Sequence, residues 1–422
     1  MTPAVRLAPP EPIRFICRTL EQAGHEAWCV GGAVRDAFLG IDTQDWDVAT
    51  SARPREVQAL FHRTIPVGIE FGTVGVLDRH GTLHEVTTFR QDVETDGRHA
   101  VVRFGASLDE DLARRDFTIN AIAVHAETLR VRDPFGGRAD LARRVIRAVG
   151  DPRERMREDR LRALRALRFA GRFDFDIEPQ TWDAIVESAP HLGRLSMERV
   201  KQELEKIMGQ VLRPSGTMER YREAGVFKAL IPQLHDAPAV RFKTLDFLAR
   251  PGLARRPQRR LLRLAALFIE PGKAPSRTLA KELNALKFSN IEARATIALA
   301  EAAADLAFRQ LVWEVDDVTL RRNLARIGRL MLPGLARVIC ARARAEGLEW
   351  NSAVLYRRAL RIAWRDPLSV TDLAVDGEDL IKAGVPAGKG MGKVLASLLA
   401  WVIEDPSRNT RERLLEEVAR LA

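Results

Sequence analysis

The sequence offers little sulfur: its 422 residues include three cysteines, Cys17, Cys29 and Cys340. Their wide spacing fits neither a disulfide framework nor a zinc knuckle, and it suits a reducing compartment such as the cytoplasm. Histidine is also scarce, with 8 residues and none beyond His235. Long apolar runs are missing, since no stretch approaches the ~18–20 residues that a membrane span needs. The opening residues, MTPAVRLAPPEPIRF, lack the apolar core of a signal peptide, so neither export nor a membrane partner is expected. There is no repeat of fixed period and no low-complexity segment. With 46% apolar and 29% charged residues, the chain has the composition of a folded protein, and its length suggests roughly two to four domains.

Charge is present in excess and unevenly. The formal net charge is +10. Residues 1–150 hold 19 basic and 21 acidic side chains, whereas residues 151–422 hold 48 and 36. A basic surplus suits a polyanionic partner, and here it lies entirely after residue 150. The first third must do something other than grip a polyanion over its whole surface.

The texture of the chain changes at the same place. Short β-branched runs at Gly72–Leu77 and His84–Phe89 alternate as half-buried strands do, and Glu11–Ala23 and Ala33–Leu39 have helical patterns. The polar stretch Gln91–His99 reads as a turn or loop. From about Arg153 onward, Leu/Ala/Arg/Glu segments with i, i+3, i+4 spacing are punctuated by Pro and Gly, the pattern of helices. The fold class expected is α+β: a mixed sheet with helices in the first third, followed by an elongated all-α remainder.

The chemistry concentrates in Val30-Gly31-Gly32-Ala33-Val34-Arg35-Asp36, followed by Asp45-Trp46-Asp47. Paired glycines ahead of a helix let backbone N–H groups approach a phosphate closely. If Asp45–Val48 is a strand, its period of two places both carboxylates on one face. Two such carboxylates repel one another unless cations lie between them, and bridging divalent metals is a natural use of the pair.

These residues resemble the class II tRNA nucleotidyltransferase and bacterial poly(A) polymerase superfamily, and the resemblance continues in order along the chain. Glu85–Arg90 matches a strand of the family's polymerase-β-like head. Arg114-Arg115-Asp116-Phe117-Thr118-Ile119-Asn120-Ala121 matches its nucleotide-sugar motif, and Asp133–Gly137 the strand-turn that leaves the head. Glu158-Asp159-Arg160-Leu161-Arg162 matches its base-selecting helix, and Ser196–Val200, with Glu203 and Lys206, its last motif. The match spans about 180 residues and is much weaker beyond about residue 215. It implies a catalytic head at 1–150, a helical neck at 151–215, and a tRNA-binding body at 216–330 and tail at 331–422.

The resemblance implies that Asp45 and Asp47 bind two Mg²⁺ ions. Glu85 is either a third carboxylate of the same cleft or an exposed strand residue. Gly31, Gly32, Arg35, Arg114 and Arg115 are expected at the phosphates and ribose, with Asp116 and Asn120 at the sugar hydroxyls. Glu158, Asp159, Arg162, Arg165 and Arg168 are expected at the nucleotide from the neck side. On one helix Asp159 and Arg162 would share a face. A carboxylate accepts from an exocyclic amine and a guanidinium donates to a ring nitrogen or carbonyl, so cytosine and adenine both satisfy the pair. Uracil and guanine present a carbonyl to the carboxylate and an N–H to the guanidinium, leaving buried groups unpaired.

The implied activity is addition of C, C and A to the 3′ end of tRNA from CTP and ATP. Poly(A) polymerases of the superfamily carry a double basic pair shortly after the D-x-D. Here Ile65-Pro66-Val67-Gly68-Ile69-Glu70-Phe71 stands in its place and resembles the CCA-adding branch. The loop Gln91–Phe104, with Asp96-Gly97-Arg98-His99, is full length, as in enzymes that switch from C to A. A poly(A) polymerase, a specialist adding only A or only CC, and a catalytically inactive RNA-binding protein are the alternatives. No HD-type metal site is expected, because Phe268–Lys273 stands where H-D-I-G-K would be. Ala387–Val394 resembles a P-loop but lacks its Ser/Thr. The densest basic cluster, Arg250, Arg255, Arg256, Arg259, Arg260 and Arg263, is the expected RNA contact.

Overall fold

The computed structural model describes residues 7–43, 45–95, 100–248, 258–269, 277–308, 315–348 and 352–421. The chain divides into two compact units, one of residues 1–203 and 220–236, the other of 204–219 and 237–422. The Asp96–His99 turn, Glu270–Lys273, and Arg250, Arg255 and Arg256 lie outside the described residues.

The first unit opens with α1 (Glu11–Gln22), β1 (Ala27–Val30), α2 (Gly32–Phe38), β2 (Asp47–Thr50), α3 (Pro54–Leu60), β3 (Thr64–Gly68), β4 (Thr73–Leu77) and β5 (Leu83–Thr88). It continues through β6 (Arg90–Thr95), β7 (Ala100–Phe104), α4 (Leu108–Ala113), β8 (Ala123–Val124), β9 (Val131–Arg132) and α5 (Gly137–Arg143). Among the described residues, seven strands form one mixed sheet in the order β3-β4-β5-β2-β1-β8-β9. The core face of this sheet is built by Val48, Val74, Val76 and Val86, all at most 3% exposed. Strands β6 and β7 pair separately, so Gln91–Thr95, expected as loop, is strand. Its cross-strand partner supplies the pairing that a polar composition hides.

Next come β10 (Val145–Ile146), α6 (Pro152–Glu158), α7 (Leu161–Phe173), β11 (Asp176–Ile177), α8 (Pro179–Ser188) and α9 (Met197–Gln210), then α10 (Pro214–Glu223) and α11 (Val226–Leu230). The parallel pair β10·β11 joins Val145–Ile146, in the part expected to hold strands, to Asp176–Ile177, a short strand inside the stretch expected to be helical from about Arg153. The second unit contains α12 (Ala239–Asp246), α13 (Gln258–Leu267), α14 (Arg277–Ala285), α15 (Asn290–Phe308), α16 (Asp317–Ile327), α17 (Leu332–Ala345) and α18 (Ser352–Arg365). It ends with α19 (Gly377–Lys382), α20 (Lys389–Glu404) and α21 (Arg411–Leu421). The stretch resembling a P-loop is the start of α20.

Arg263 departs from its expected place on an RNA-binding surface. It is 0% exposed on α13, where its guanidinium donates to Met208 O and Val211 O at 2.8 Å, Leu212 O at 3.1 Å and Leu245 O at 3.2 Å. These carbonyls lie at the C-terminal ends of α9 and α12, where intrahelical donors run out; Leu245 O also accepts from a backbone N–H, that of Leu248 at 3.3 Å.

Candidate active site

The site begins where β1 ends. Antiparallel pairing of β1 with β2 sets Val30 opposite Asp47, so Gly31 follows directly beside that carboxylate. Gly31 has φ +76°, a conformation that glycine adopts without cost. A Cβ there would sit 3.0 Å from Arg115 Nη1 and 3.5 Å from Asp47 Oδ2, so this glycine leaves room for a guanidinium and a carboxylate to converge. Strand β2 runs parallel to β5 with Val48 opposite Val86, which brings Asp47 level with Glu85. Asp45 precedes the strand rather than belonging to it, so its proximity to Asp47 does not come from strand alternation as expected. Burial, then the charges of Asp45 and Glu85, raise the Asp47 carboxyl to about 6, and Arg115 opposes the rise. Both Asp45 and Glu85 therefore act on Asp47.

Arg114 and Arg115 converge on one buried acid. Arg114 bonds Asp111 Oδ1 at 2.7 and 3.0 Å, and Arg115 bonds Asp111 Oδ2 at 3.1 Å. Burial would raise the Asp111 carboxyl, but the two guanidiniums hold it below the usual range. Asp111 is 1% exposed; it lies on α4, three and four residues before the arginines that follow the helix, a spacing legible in the sequence although no motif marks it.

The expected sugar-contacting pair is braced from inside. Asp116 accepts from Asn120 Nδ2 and Phe117 N at 2.9 Å and from Arg165 at 2.6 and 2.8 Å. Burial pushes its carboxyl up, yet Arg165 and these hydrogen bonds outweigh that and lower it to about 2. Asn120 Oδ1 accepts from Arg35 at 2.6 Å, and Arg35 in turn bonds Asp36 at 2.6 and 2.7 Å. Arg172 closes the other Asp36 oxygen at 3.0 Å. Arg35 also lies over Phe169 and Phe173, 5.1 and 4.8 Å from the ring centroids. At 4% exposed, it is committed to this network, which ties α2 and the 118–120 turn to α7. Arg168 is equally committed, at 2.5 Å from Glu203 and 4.1 Å from the Phe169 centroid.

The expected base-reading helix is broken. Helix α6 ends at Glu158 and α7 starts at Leu161, while Asp159 is extended with φ −147° and ψ 103°. Its Oδ1 accepts from Leu161 N, the first N–H of α7, at 3.0 Å, and its Oδ2 accepts from Arg199 at 2.7 Å. Arg162 donates to Glu158 at 2.6 Å, Arg114 O at 3.0 Å and Arg155 O at 3.1 Å. Glu158 also pairs with Arg155, which donates to Ala113 O. Asp159 and Arg162 thus lie three residues apart across a helix junction, each held by another partner. Arg199, quoted in the last motif without a role, is the partner that the sequence reading missed.

Among the described residues, no group of three or more His, Cys, Asp or Glu side chains is arranged to hold a metal alone. The carboxylates around Asp47 still fit Mg²⁺, which usually takes one or two carboxylates and completes its shell with water and substrate phosphates. The observation behind that fit is geometric: strand pairing brings Asp47 level with Glu85, and the bare backbone of Gly31 leaves room beside Asp47 Oδ2.

Known proteins are similar to this chain over nearly its whole length. The CCA-adding enzyme of Limosilactobacillus reuteri is 36% identical over 415 residues, covering 97% of this chain and 96% of its own. The chain belongs to the CCA-adding enzyme family. The family member from Geobacillus stearothermophilus is likewise 36% identical over 407 residues, 94% of each chain. The crystal structure of the Bacillus stearothermophilus CCA-adding enzyme in complex with CTP matches with a TM-score of 0.74 at 33% identity, over 96% of both chains. A model described as the poly A polymerase head domain matches residues 27–147, and one for tRNA nucleotidyltransferase domain 2 matches residues 264–418. As a CCA-adding family member the chain is a nucleotidyltransferase, with the sheet-bearing head in its first third. Among its described residues no helix is long and apolar enough to cross a membrane.

Proposed function

We propose that this protein adds C, C and A to the 3′ end of tRNA in the cytoplasm, using CTP and ATP and releasing pyrophosphate. The observation that carries the reading is the meeting of Asp47, Arg115 and the open backbone of Gly31 at one point, with Asp45 and Glu85 acting on the same carboxylate. A triphosphate needs cations and an uncrowded backbone, and a reacting hydroxyl needs carboxylates that gather metal beside it. Relatives named CCA-adding enzyme and a solved relative holding CTP support the substrate choice.

In this reading Asp45 and Asp47 hold Mg²⁺, with Glu85 as a neighbouring third acid. The chemistry that Mg²⁺ supplies when bound is a lowered hydroxyl pKa and charge neutralisation at the phosphates. Arg114 and Arg115, fixed by Asp111, orient the triphosphate for in-line attack of the tRNA 3′-hydroxyl at the α-phosphorus. Asp116 and Asn120 shape the wall beside the sugar, braced by Arg35 and Arg165. Asp159 and Arg162 read the base once they turn from Arg199 and Glu158, accepting from the amine of C or A and donating to the adjacent ring nitrogen. Residues 1–150 act as catalytic head and 151–215 as neck, while the helical segments 216–330 and 331–422 hold tRNA mainly through phosphates, so binding weakens steeply with salt.

The test is incorporation of α-labelled CTP and ATP into tRNAs ending before CCA, at CC, and complete. The expected products are a completed trinucleotide, a single A, and nothing. A long A tail would instead assign poly(A) synthesis, and addition confined to CC or to A would assign a specialist. Asp45→Ala should abolish incorporation while leaving tRNA affinity within twofold. No incorporation by the unmutated protein would overturn the reading.

A further inference from the structure

The sheet face that carries the carboxylates does not end with them. From β2 the row of paired residues runs Asp47, Glu85, Gly75, Ile65 across four neighbouring strands, given Val48 opposite Val86, Gly75 opposite Glu85, and Ile65 opposite Gly75. Strand partners opposite one another share a face. On this face, beyond Glu85, stand Ile65, Val67 and Leu83, exposed at 42%, 43% and 41%. A Cβ at Gly75 would meet Leu83 Cδ1 at 2.5 Å and Val67 Cγ2 at 2.8 Å, so these side chains fold over the glycine from both sides. The result is a flat aliphatic floor leading from the acids to the sheet edge at β3. The opposite face of the same strands is the valine core, so the sheet has its buried core on the other side from this floor.

We propose that this floor receives the last nucleotides of the RNA acceptor, with their bases lying on Ile65, Val67 and Leu83 while the terminal hydroxyl reaches Asp47. The inference rests on the polymerisation proposed above. Continuity selects the occupant: anything else covering a surface that starts at Glu85 would obstruct the acceptor. The other approach is taken, because Arg114, Arg115 and the α6–α7 junction form the proposed nucleotide side. Three strand spacings of about 4.8 Å place the outer end of the floor ~14 Å from Asp47. A base laid flat occupies more of this length than the about 3.4 Å of a stacked one, so the floor accommodates about two nucleotides. The chemistry suits the task as well. The acceptor ends in a different base before each addition, and an aliphatic surface has no donor or acceptor with which to prefer one.

The test uses the full chain with tRNA transcripts lacking CCA or ending in CC. Val67→Ser and Leu83→Ser together should raise KM for both RNAs about tenfold, with KM for CTP and ATP within twofold and the thermal midpoint unchanged. Val67→Leu with Leu83→Met should behave as the unmutated enzyme. A 4-thiouridine at the last nucleotide before the CCA position should crosslink to the 64–83 segment. RNA KM values within twofold of the unmutated enzyme, a parallel rise in nucleotide KM, or crosslinks confined to other segments would each overturn the proposal. So would a solution dimer that the serine variants dissociate while RNA KM stays constant, because the floor would then be covered by a second copy. Crosslinking at 64–83 without any incorporation would sink the proposed reaction and leave the floor as an RNA contact. Incorporation that the serine variants do not affect would do the reverse.

Discussion

Replacing Arg263 with Met separates a structural cation from an RNA-binding one. The substitution keeps most of the apolar stem and removes a guanidinium that serves four carbonyls. A typical intramolecular hydrogen bond contributes about 1 kcal/mol net, and bonds to charged groups somewhat more. Leu245 O keeps Leu248 N as a donor, so three carbonyls lose theirs, and at the strength of bonds to a charged group this costs roughly 4–6 kcal/mol. Releasing the protein from burying an arginine charge gives part of this back, leaving a net loss of about 3–4 kcal/mol. With a urea slope of about 2 kcal/mol/M, the unfolding midpoint of the second unit should fall by about 1.5–2 M. Far-UV circular dichroism follows this transition, since the unit is helical. RNA affinity measured against salt, at temperatures where the variant is folded, should keep the unmutated slope, because no phosphate contact has been removed. A loss of stability below about 1 kcal/mol, with the log–log salt slope reduced by about one, would refute the reasoning and return Arg263 to the RNA surface.

Asp116 predicts an acid limb of stability. Its folded carboxyl is depressed to about 2 from an ordinary 3.8, so its contribution of roughly 2 kcal/mol is present above about pH 4 and is lost as pH falls through about 2. In urea unfolding between pH 5 and 2, Asp116→Asn should be less stable at pH 5 and converge on the unmutated protein at the acid end; parallel curves would contradict the assignment. Gly31→Ala should lower incorporation at least tenfold while folding persists, since positive φ costs about 1 kcal/mol and the new methyl displaces Arg115; undiminished kcat/KM would show that the convergence at Gly31 is unimportant. Arg199→Ala frees one Asp159 oxygen and should change discrimination of C and A against U and G more than it changes KM for tRNA. An unaltered misincorporation ratio would remove Arg199 from base selection.

Much of this architecture is legible in the residue pattern, and the exceptions have identifiable causes. Strands β4 and β5 announce themselves through β-branched alternation, and α1 and α2 through helical spacing. The break at Asp159 is harder to see, because Glu158–Arg162 contains neither Pro nor Gly. Its signal is an Asp just ahead of an apolar-periodic run, a residue type whose side chain competes for nearby backbone N–H groups. Arg263 shows a different limit. An arginine in a basic stretch is expected on the surface, and only the carbonyls ending two distant helices make burial favourable. The site residues divide in the same way: Asp45, Asp47 and Arg115 could be named from local motifs, whereas the roles of Arg35 and Arg168 as braces depend on Asn120 and Glu203, 85 and 35 residues away along the chain.

The unbroken line Arg172–Asp36–Arg35–Asn120–Asp116–Arg165 has a consequence for descent. Each member satisfies two neighbours or terminates the line, so a single exchange leaves at least one neighbour short of a partner. Lysine cannot replace Arg35, because one ammonium does not reproduce its fork to Asp36 and Asn120. Lineages of this enzyme should therefore inherit the six positions as a block, changing them together or leaving them alone. Drift in substrate preference is left to residues outside the line, such as Arg199 and the aliphatic positions on β3 and β5.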